Sequence, residues 1–212
     1  MTLIWALDHA SVAVFALTGA LAASRSQLDI VGFIFMACLT ALGGGTARDV
    51  ILDRPPLWLA DPSYLANATG CAVLVFLTAH LFESRYRALL WLDAFALAVA
   101  VPAGVGVALD LGIVWPSVLV MGMLTGCLGG LARDVVGNEV PLVLKQGELY
   151  VSCAFAGAGV AVLAVALGAE RNIALLICAA VVFALRAGSI ALGWRLPVYR
   201  SQPPRPDAPK RD

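Results

Sequence analysis

Two adjacent cation–anion pairs, Arg48-Asp49 and Arg133-Asp134, each close a glycine-bearing apolar stretch. The first stretch reads Leu42-Gly43-Gly44-Gly45-Thr46-Ala47-Arg48-Asp49 and the second Leu128-Gly129-Gly130-Leu131-Ala132-Arg133-Asp134. The two copies lie 85 positions apart (49 to 134, 44 to 129). Charge inside a membrane span is expensive and usually functional. A glycine costs a helix about 1 kcal/mol relative to alanine, so these runs are expected to open the helix and free backbone carbonyls. Such carbonyls survive in a membrane where they line a wet cavity, and there they are ligands for a dehydrating cation. Thr40, Thr46 and Thr125 are placed to add hydroxyl oxygens. The competing role is packing, since small residues let membrane helices approach closely. Isolated glycines such as Gly157 and Gly159 are read that way.

A bare guanidinium would repel a cation, so Arg48 and Arg133 need partners. Neighbouring residues on a helix do not face each other, and Asp49 is therefore not expected to neutralise Arg48. An acid on another helix is expected instead, with Asp8 and Asp93 as candidates because they too are 85 positions apart. Pairing would hold a gate shut, and parting would open a hydrated route. No Ser/His, paired-Asp or metal-ligand constellation accompanies these residues, so neither an enzyme nor a metal site is expected.

The elements that must carry these groups are set by composition. Of 212 residues, 61% are hydrophobic and 13% charged, with mean hydropathy +0.89. A soluble domain is closer to half apolar and a quarter charged, so the chain reads as an all-α integral membrane protein. Spans of roughly 17–25 apolar residues cross a bilayer as helices. Seven are expected: about 7–23, 30 to the first glycine run, 65–82, 89–109, 113–136, 149–167 and 173–194. Asp8-His9 interrupts the first run, which reads as a retained anchor and not as a cleavable signal peptide. Net charge is zero, which predicts no nucleic-acid partner. Cys38, Cys71, Cys127, Cys153 and Cys178 fall in apolar segments and read as small buried hydrophobes.

The 85-residue offset also matches Gly19 to Gly104, Thr40 to Thr125, and Pro56-Leu57 to Pro141-Leu142. Residues 1–88 then hold helices one to three, 89–168 hold helices four to six, 169–200 a seventh helix and 201–212 a disordered tail. Three is odd, so the second copy enters the membrane from the opposite face, an inverted 3+3 repeat as in many transport proteins. Lys and Arg number three on the N-terminal side and ten on the other. That bias places the N-terminus outside and the C-terminus in the cytoplasm. Trp58 and Tyr64 read as interface anchors, and Arg186 as a side chain that snorkels to the interface. His9 and His80 are expected at helix ends without partners, and Glu139, Lys145 and Glu148 in a solvated loop.

The motifs Gly-Gly-Gly-Thr-Ala-Arg-Asp (43–49) and Gly-Gly-Leu-Ala-Arg-Asp (129–134), with Pro56 and Pro141 downstream, resemble those of the prokaryotic TRIC (trimeric intracellular cation) channels. The resemblance runs from about Asp8 to Trp194. It implies seven helices per subunit, a homotrimer in the cell inner membrane, and one potassium-conducting pore per subunit without a cofactor or soluble partner. It also implies kinks at Gly43, Gly44, Gly45, Gly129 and Gly130 in the second and fifth helices. The lysine-containing motif with which animal members bind a phosphoinositide has no clear equivalent. The same bacterial domain is also associated with glycine transport. The alternative is therefore a carrier for a small zwitterion, with Arg48 or Arg133 gripping a carboxylate.

Overall fold

The computed structural model describes residues 3–81, 85–145 and 149–197. Arg200, the tail 201–212 with Arg205, Lys210 and Arg211, and loop residue Glu148 lie outside the described residues. Eight helices follow one another among the described residues: α1 (Leu3–Arg25), α2 (Ile30–Ile51), α3 (Leu57–Ala60), α4 (Ser63–Thr78), α5 (Arg85–Asp110), α6 (Trp115–Val136), α7 (Val151–Ala166) and α8 (Arg171–Leu192). Short 3-10 turns cover Ala79–Leu81 and Leu142–Leu144.

Among the described residues, six spans are long and apolar enough to cross a membrane: α1, α2, α4 extended by its 3-10 turn, α5, α6 and α8. The protein is thus an all-helical, multi-pass membrane protein. Helix α7 is apolar but has only 16 residues, about 24 Å at 1.5 Å per residue, against a hydrocarbon core of about 30 Å. Outward-facing Phe35, Leu74, Leu77, Phe95, Phe155, Leu163 and Leu176 present apolar side chains away from the bundle.

Helix α5 forms the centre, packed against α1, α6, α7 and α8. Its stretch 96–108, beyond the outward-facing Phe95, is apolar on every face and largely small, the pattern of a helix buried all round. Helix α1 holds the matching place in the first half, against α2, α4 and α5. Aromatic contacts pin the periphery. Phe33 meets Phe76 edge-on at 5.1 Å, tying α2 to α4, and Phe95 lies 4.4 Å from Phe183, tying α5 to α8.

The offset of 85 persists in the turns. Asp53 and Asn138 both take φ 53° in the left-handed region, and Gln27 at φ 53° is matched by Gly112 at φ 66°. Asp and Asn tolerate that conformation because their short polar side chains bond locally. Asp29 caps α2 by accepting from the Gly32 N–H at 2.8 Å, and Gly193 at φ 71° ends α8.

The expected opening at the glycine runs does not occur. Helix α2 continues through Gly43, Gly44 and Gly45, and α6 through Gly129 and Gly130. The glycines serve close approach instead. A Cβ on Gly44 would strike the Thr125 carbonyl, and a Cβ on Gly129 the Thr40 carbonyl. Gly43 and Gly129 also face each other, with 3.9 Å from a Cβ on Gly43 to the Gly129 Cα. Gly19 and Gly104 do the same for α1 against α2 and α5 against α6, lying over Thr40 and Thr125. Packing outweighs the backbone weakness of glycine here, because every helical hydrogen bond kept in the bilayer avoids an unsatisfied carbonyl.

Candidate functional site: two buried ion clusters

Each half of the bundle builds one cluster from the same parts. Near the end of α2, Arg48 Nη1 donates to Asp8 Oδ1 at 2.9 Å and Nη2 to Asp8 Oδ2 at 3.4 Å. Arg48 Nε donates to Asp49 Oδ1 at 2.9 Å. Asp49 Oδ2 in turn accepts the Leu57 N–H at 3.0 Å, which caps the short helix after Pro56. Near the end of α6, Arg133 Nη1 donates to Asp93 Oδ1 at 2.9 Å and Nε to Asp134 Oδ1 at 2.8 Å. Asp134 Oδ2 accepts the Leu142 N–H at 2.8 Å. Residues 8, 48, 49 and 57 recur at 93, 133, 134 and 142, each shifted by 85.

The pairing of neighbours corrects the expectation that Asp49 leaves Arg48 alone. The Cα–Cβ vectors of adjacent residues diverge, but the three-carbon arginine stem folds back along the helix and presents Nε to the next side chain. Each arginine therefore lies between two carboxylates, one on its own helix and one on α1 or α5. Arg48 and Arg133 are 1% and 0% exposed, so both guanidinium groups are almost wholly withdrawn from solvent.

The hydroxyls expected at a pore are engaged locally. Thr40 and Thr125 donate to the carbonyls of Met36 and Met121 at 2.6 and 2.7 Å, one turn back on their own helices. Thr46 accepts from Trp58 Nε1 at 3.1 Å, which holds α3 against α2. Gly45 faces the Leu57 side chain, and Gly130 faces Tyr150.

Four further residues complete the clusters; the sequence readings of Tyr64, His9 and Arg186 are corrected, and Tyr150 had none. Tyr64 is buried near Asp8 and Arg48, not placed at an interface. His9 is partnered: it stacks between Trp5 and Tyr64, with 3.9 Å to each ring. Its Nδ1–H donates to the Trp5 carbonyl at 3.1 Å, and Nε2 lies 2.9 Å from Ser63 Oγ. Tyr150 is the second-half counterpart of Tyr64, buried beside Asp93 and Arg133. The missed signal was a tyrosine repeated at 86 positions, one out of register with the rest. Arg186 does not snorkel. It is fully buried, donates to the Leu149 carbonyl at 3.1 Å and lies 5.0 Å over the Tyr150 ring.

Helix α8 thus breaks the likeness of the halves. The second cluster gains Arg186, giving two cations (Arg133, Arg186) against two anions (Asp93, Asp134). The first has one cation, Arg48, against Asp8 and Asp49, and borders a cavity of about 200 Å³ lined by Trp5, Arg54, Asp61 and Tyr64. At that mouth the Ser63 hydroxyl and backbone N–H bond Asp61 and hold its carboxyl below the usual range. On the opposite side Glu139 and Lys145 are also less free than expected. Glu139 pairs with Arg25 at 2.9 Å, while Lys145 bonds the Tyr86 hydroxyl and shares its ring with Arg25. The five cysteines are free thiols, with Cys127, Cys153 and Cys178 buried. Among the described residues no cluster of side chains could hold a metal ion.

Comparison with known proteins finds the chain similar to members of one family. The family model described as Glycine transporter matches the chain twice, over residues 5–80 and 90–166. A UPF0126 membrane protein of Vibrio cholerae is 34% identical over 203 residues, covering 93% of this chain and 83% of the relative. The UPF0126 inner membrane protein YadS of Escherichia coli K12 is 37% identical over 160 residues, covering 73% of this chain and 75% of the relative. Among solved structures, the TRIC trimeric intracellular cation channel orthologue from Rhodobacter sphaeroides superposes with TM-score 0.88 at 40% identity. The match covers 91% of this chain and 100% of that one. A second structure, reported for conductance through TRIC cation channels, gives TM-score 0.83 at 28% identity over 93% and 97% of the two chains.

Proposed function

The chain belongs to the family whose model is described as Glycine transporter, the family of the bacterial TRIC channels, and from that premise we propose that it is a monovalent cation channel. Potassium is the permeant ion, no cofactor takes part, and no covalent chemistry occurs. Three copies assemble in the inner membrane, each with its own pore. The observation that carries the reading is the pair of symmetry-matched Arg–carboxylate clusters flanking the α2–α6 crossing, on a fold shared with proteins described as trimeric cation channels.

The scaffold is an inverted repeat of three spans plus three, residues 1–88 and 89–168, with a seventh span in 169–200. Its support is reciprocity. Thr40 meets Gly129 while Thr125 meets Gly44, as a two-fold relation between halves requires. With the N-terminus outside, the Arg48 cluster faces outward and the Arg133 cluster faces the cytoplasm. The ion path follows α2 and α6, past Thr40, Thr46 and Thr125. Gly43, Gly44, Gly45, Gly129 and Gly130 form the hinge contact. Arg48 and Arg133, bound to Asp8, Asp49, Asp93 and Asp134, hold it closed.

The carrier reading is weaker. Gripping a zwitterion's carboxylate needs an arginine with free N–H groups facing a cavity, and Arg48 and Arg133 each already bind two carboxylates. Liposomes holding the purified protein separate the two. A channel dissipates a potassium gradient rapidly and without saturation, as read by a trapped potassium dye. A carrier instead accumulates labelled glycine saturably and leaves potassium in place.

A further inference from the structure

Tyr64 and Tyr150 hold matching places in the two clusters, but the residues before them are secured differently. In the first half the Ser63 N–H donates to Asp61 Oδ1 at 2.9 Å, within its own loop. The offset of 86 that relates the tyrosines puts Leu149 opposite Ser63 and Gly147 opposite Asp61. Glycine supplies no carboxylate, so this local bond has no equivalent in the second half. The Leu149 N–H donates instead to Ser189 Oγ on α8, at 3.2 Å and 40 residues away in the chain.

Helix α8 takes the Leu149 carbonyl as well. Arg186 Nη1 donates to it at 3.1 Å, and residues 186 and 189 share one face of α8 because they are three apart. Both backbone groups of Leu149 are therefore held by the last turns of α8. Tyr150 follows directly, at the N-cap of α7 and without a side-chain cap bond of its own. Its ring lies 5.0 Å from the Arg186 guanidinium, and its hydroxyl bonds the Asp93 carboxylate. Ser189 is anchored in turn: its single hydroxyl proton goes to the Trp194 carbonyl at 3.1 Å, which leaves its oxygen to accept from Leu149. Gly193, at φ 71°, turns the chain back at this point, and the Trp194 indole lies over Gly188, where a Cβ would strike it.

We propose that the end of α8 is a strap that positions Tyr150 on the Asp93–Arg133 pair, with Ser189 and Arg186 as its positioning residues. Releasing Leu149 lets Tyr150 draw back from Asp93 and loosens the second cluster. The first cluster, whose Ser63 is secured within its own loop, is unaffected. The two halves are thus held closed by different means, and only the second answers to the chain beyond α8. This consequence for gating rests on the reading of the clusters as the closed path; the strap itself rests on the bonds to Leu149.

Amide hydrogen exchange on the full-length protein, paired with single-channel recording, tests the strap. In Ser189→Ala the Leu149 amide should exchange about fivefold faster, the factor that one hydrogen bond of ordinary net strength carries. The Leu142 amide, held by Asp134 in the second cluster, should follow, while its first-half counterpart, the Leu57 amide, keeps its protection. Ser189→Thr retains the hydroxyl and should restore both. An unchanged Leu149 amide overturns the strap, and acceleration confined to Leu149 overturns its hold on the cluster. Equal acceleration at Leu57 reduces the effect to a general loss of stability and overturns the proposal too. In the recordings, Ser189→Ala should raise open probability at unchanged unitary conductance, and Ser189→Thr should reverse it; open probability indifferent to both overturns the gating role. Wild-type protein that passes no current sinks the channel reading, and the exchange pattern then decides the strap by itself.

Discussion

Arg133 and Asp93 meet at 2.9 Å with neither side chain exposed, whereas Arg48 and Asp8 meet at the same distance with 10% of Asp8 open. Removing one partner of a buried ion pair strands the other, at a cost of about 3–5 kcal/mol. Asp93→Asn should therefore destabilise the protein more than Asp8→Asn, whose cluster borders a cavity. Thermal unfolding in detergent measures the difference. Equal shifts would mean that both pairs are hydrated alike.

The α2–α6 crossing predicts a sharp ranking of glycine substitutions. Gly44→Ala and Gly129→Ala drive a methyl into a carbonyl of the facing helix and should cost about 1–3 kcal/mol through overpacking. Gly43→Ala, with 3.9 Å of room, should be tolerated. Gly70→Ala and Gly159→Ala meet nothing within 4 Å and should gain up to about 1 kcal/mol of helix propensity. The same unfolding measurement ranks all five.

Asp49 and Asp134 each join an arginine to the backbone of a following turn. Asparagine at either position keeps the shape and loses the charge, weakening hydrogen bonds worth about 1.5–3 kcal/mol each. Hydrogen exchange at the Leu57 amide should accelerate in Asp49→Asn, and at the Leu142 amide in Asp134→Asn. Unchanged protection would show that Pro56 and Pro141 hold these turns by themselves.

If the clusters keep the path closed, weakening them should raise open probability. Arg133→Ala and Asp134→Ala are expected to open more often than wild type, and Arg133→Lys, which keeps the charge but not the fork, should fall between. Single-channel records in which both alanine variants match wild type in open probability and ion preference would remove the clusters from gating.

The repeat, the buried charges and the cross-helix acids were legible in the sequence because an apolar background makes each charge conspicuous and a fixed offset pairs them. Three features were not. The Arg48–Asp49 contact depends on how an arginine stem bends, which residue spacing does not encode. Tyr150 escaped because one extra residue puts it 86 positions after Tyr64. Arg186, inside the last helix, read as a side chain snorkelling to the interface, and only the packing of α8 against α5 and α7 encloses it. The glycine runs carried two opposed signals, weak helix and close packing, and tertiary contact between α2 and α6 decided between them.

The most direct test of the channel reading is planar-bilayer recording of the purified protein under a potassium gradient. The account predicts discrete unitary currents that reverse near the potassium equilibrium potential. Protein that is folded, trimeric and inserted yet passes no current, while taking up labelled glycine into liposomes, would contradict it.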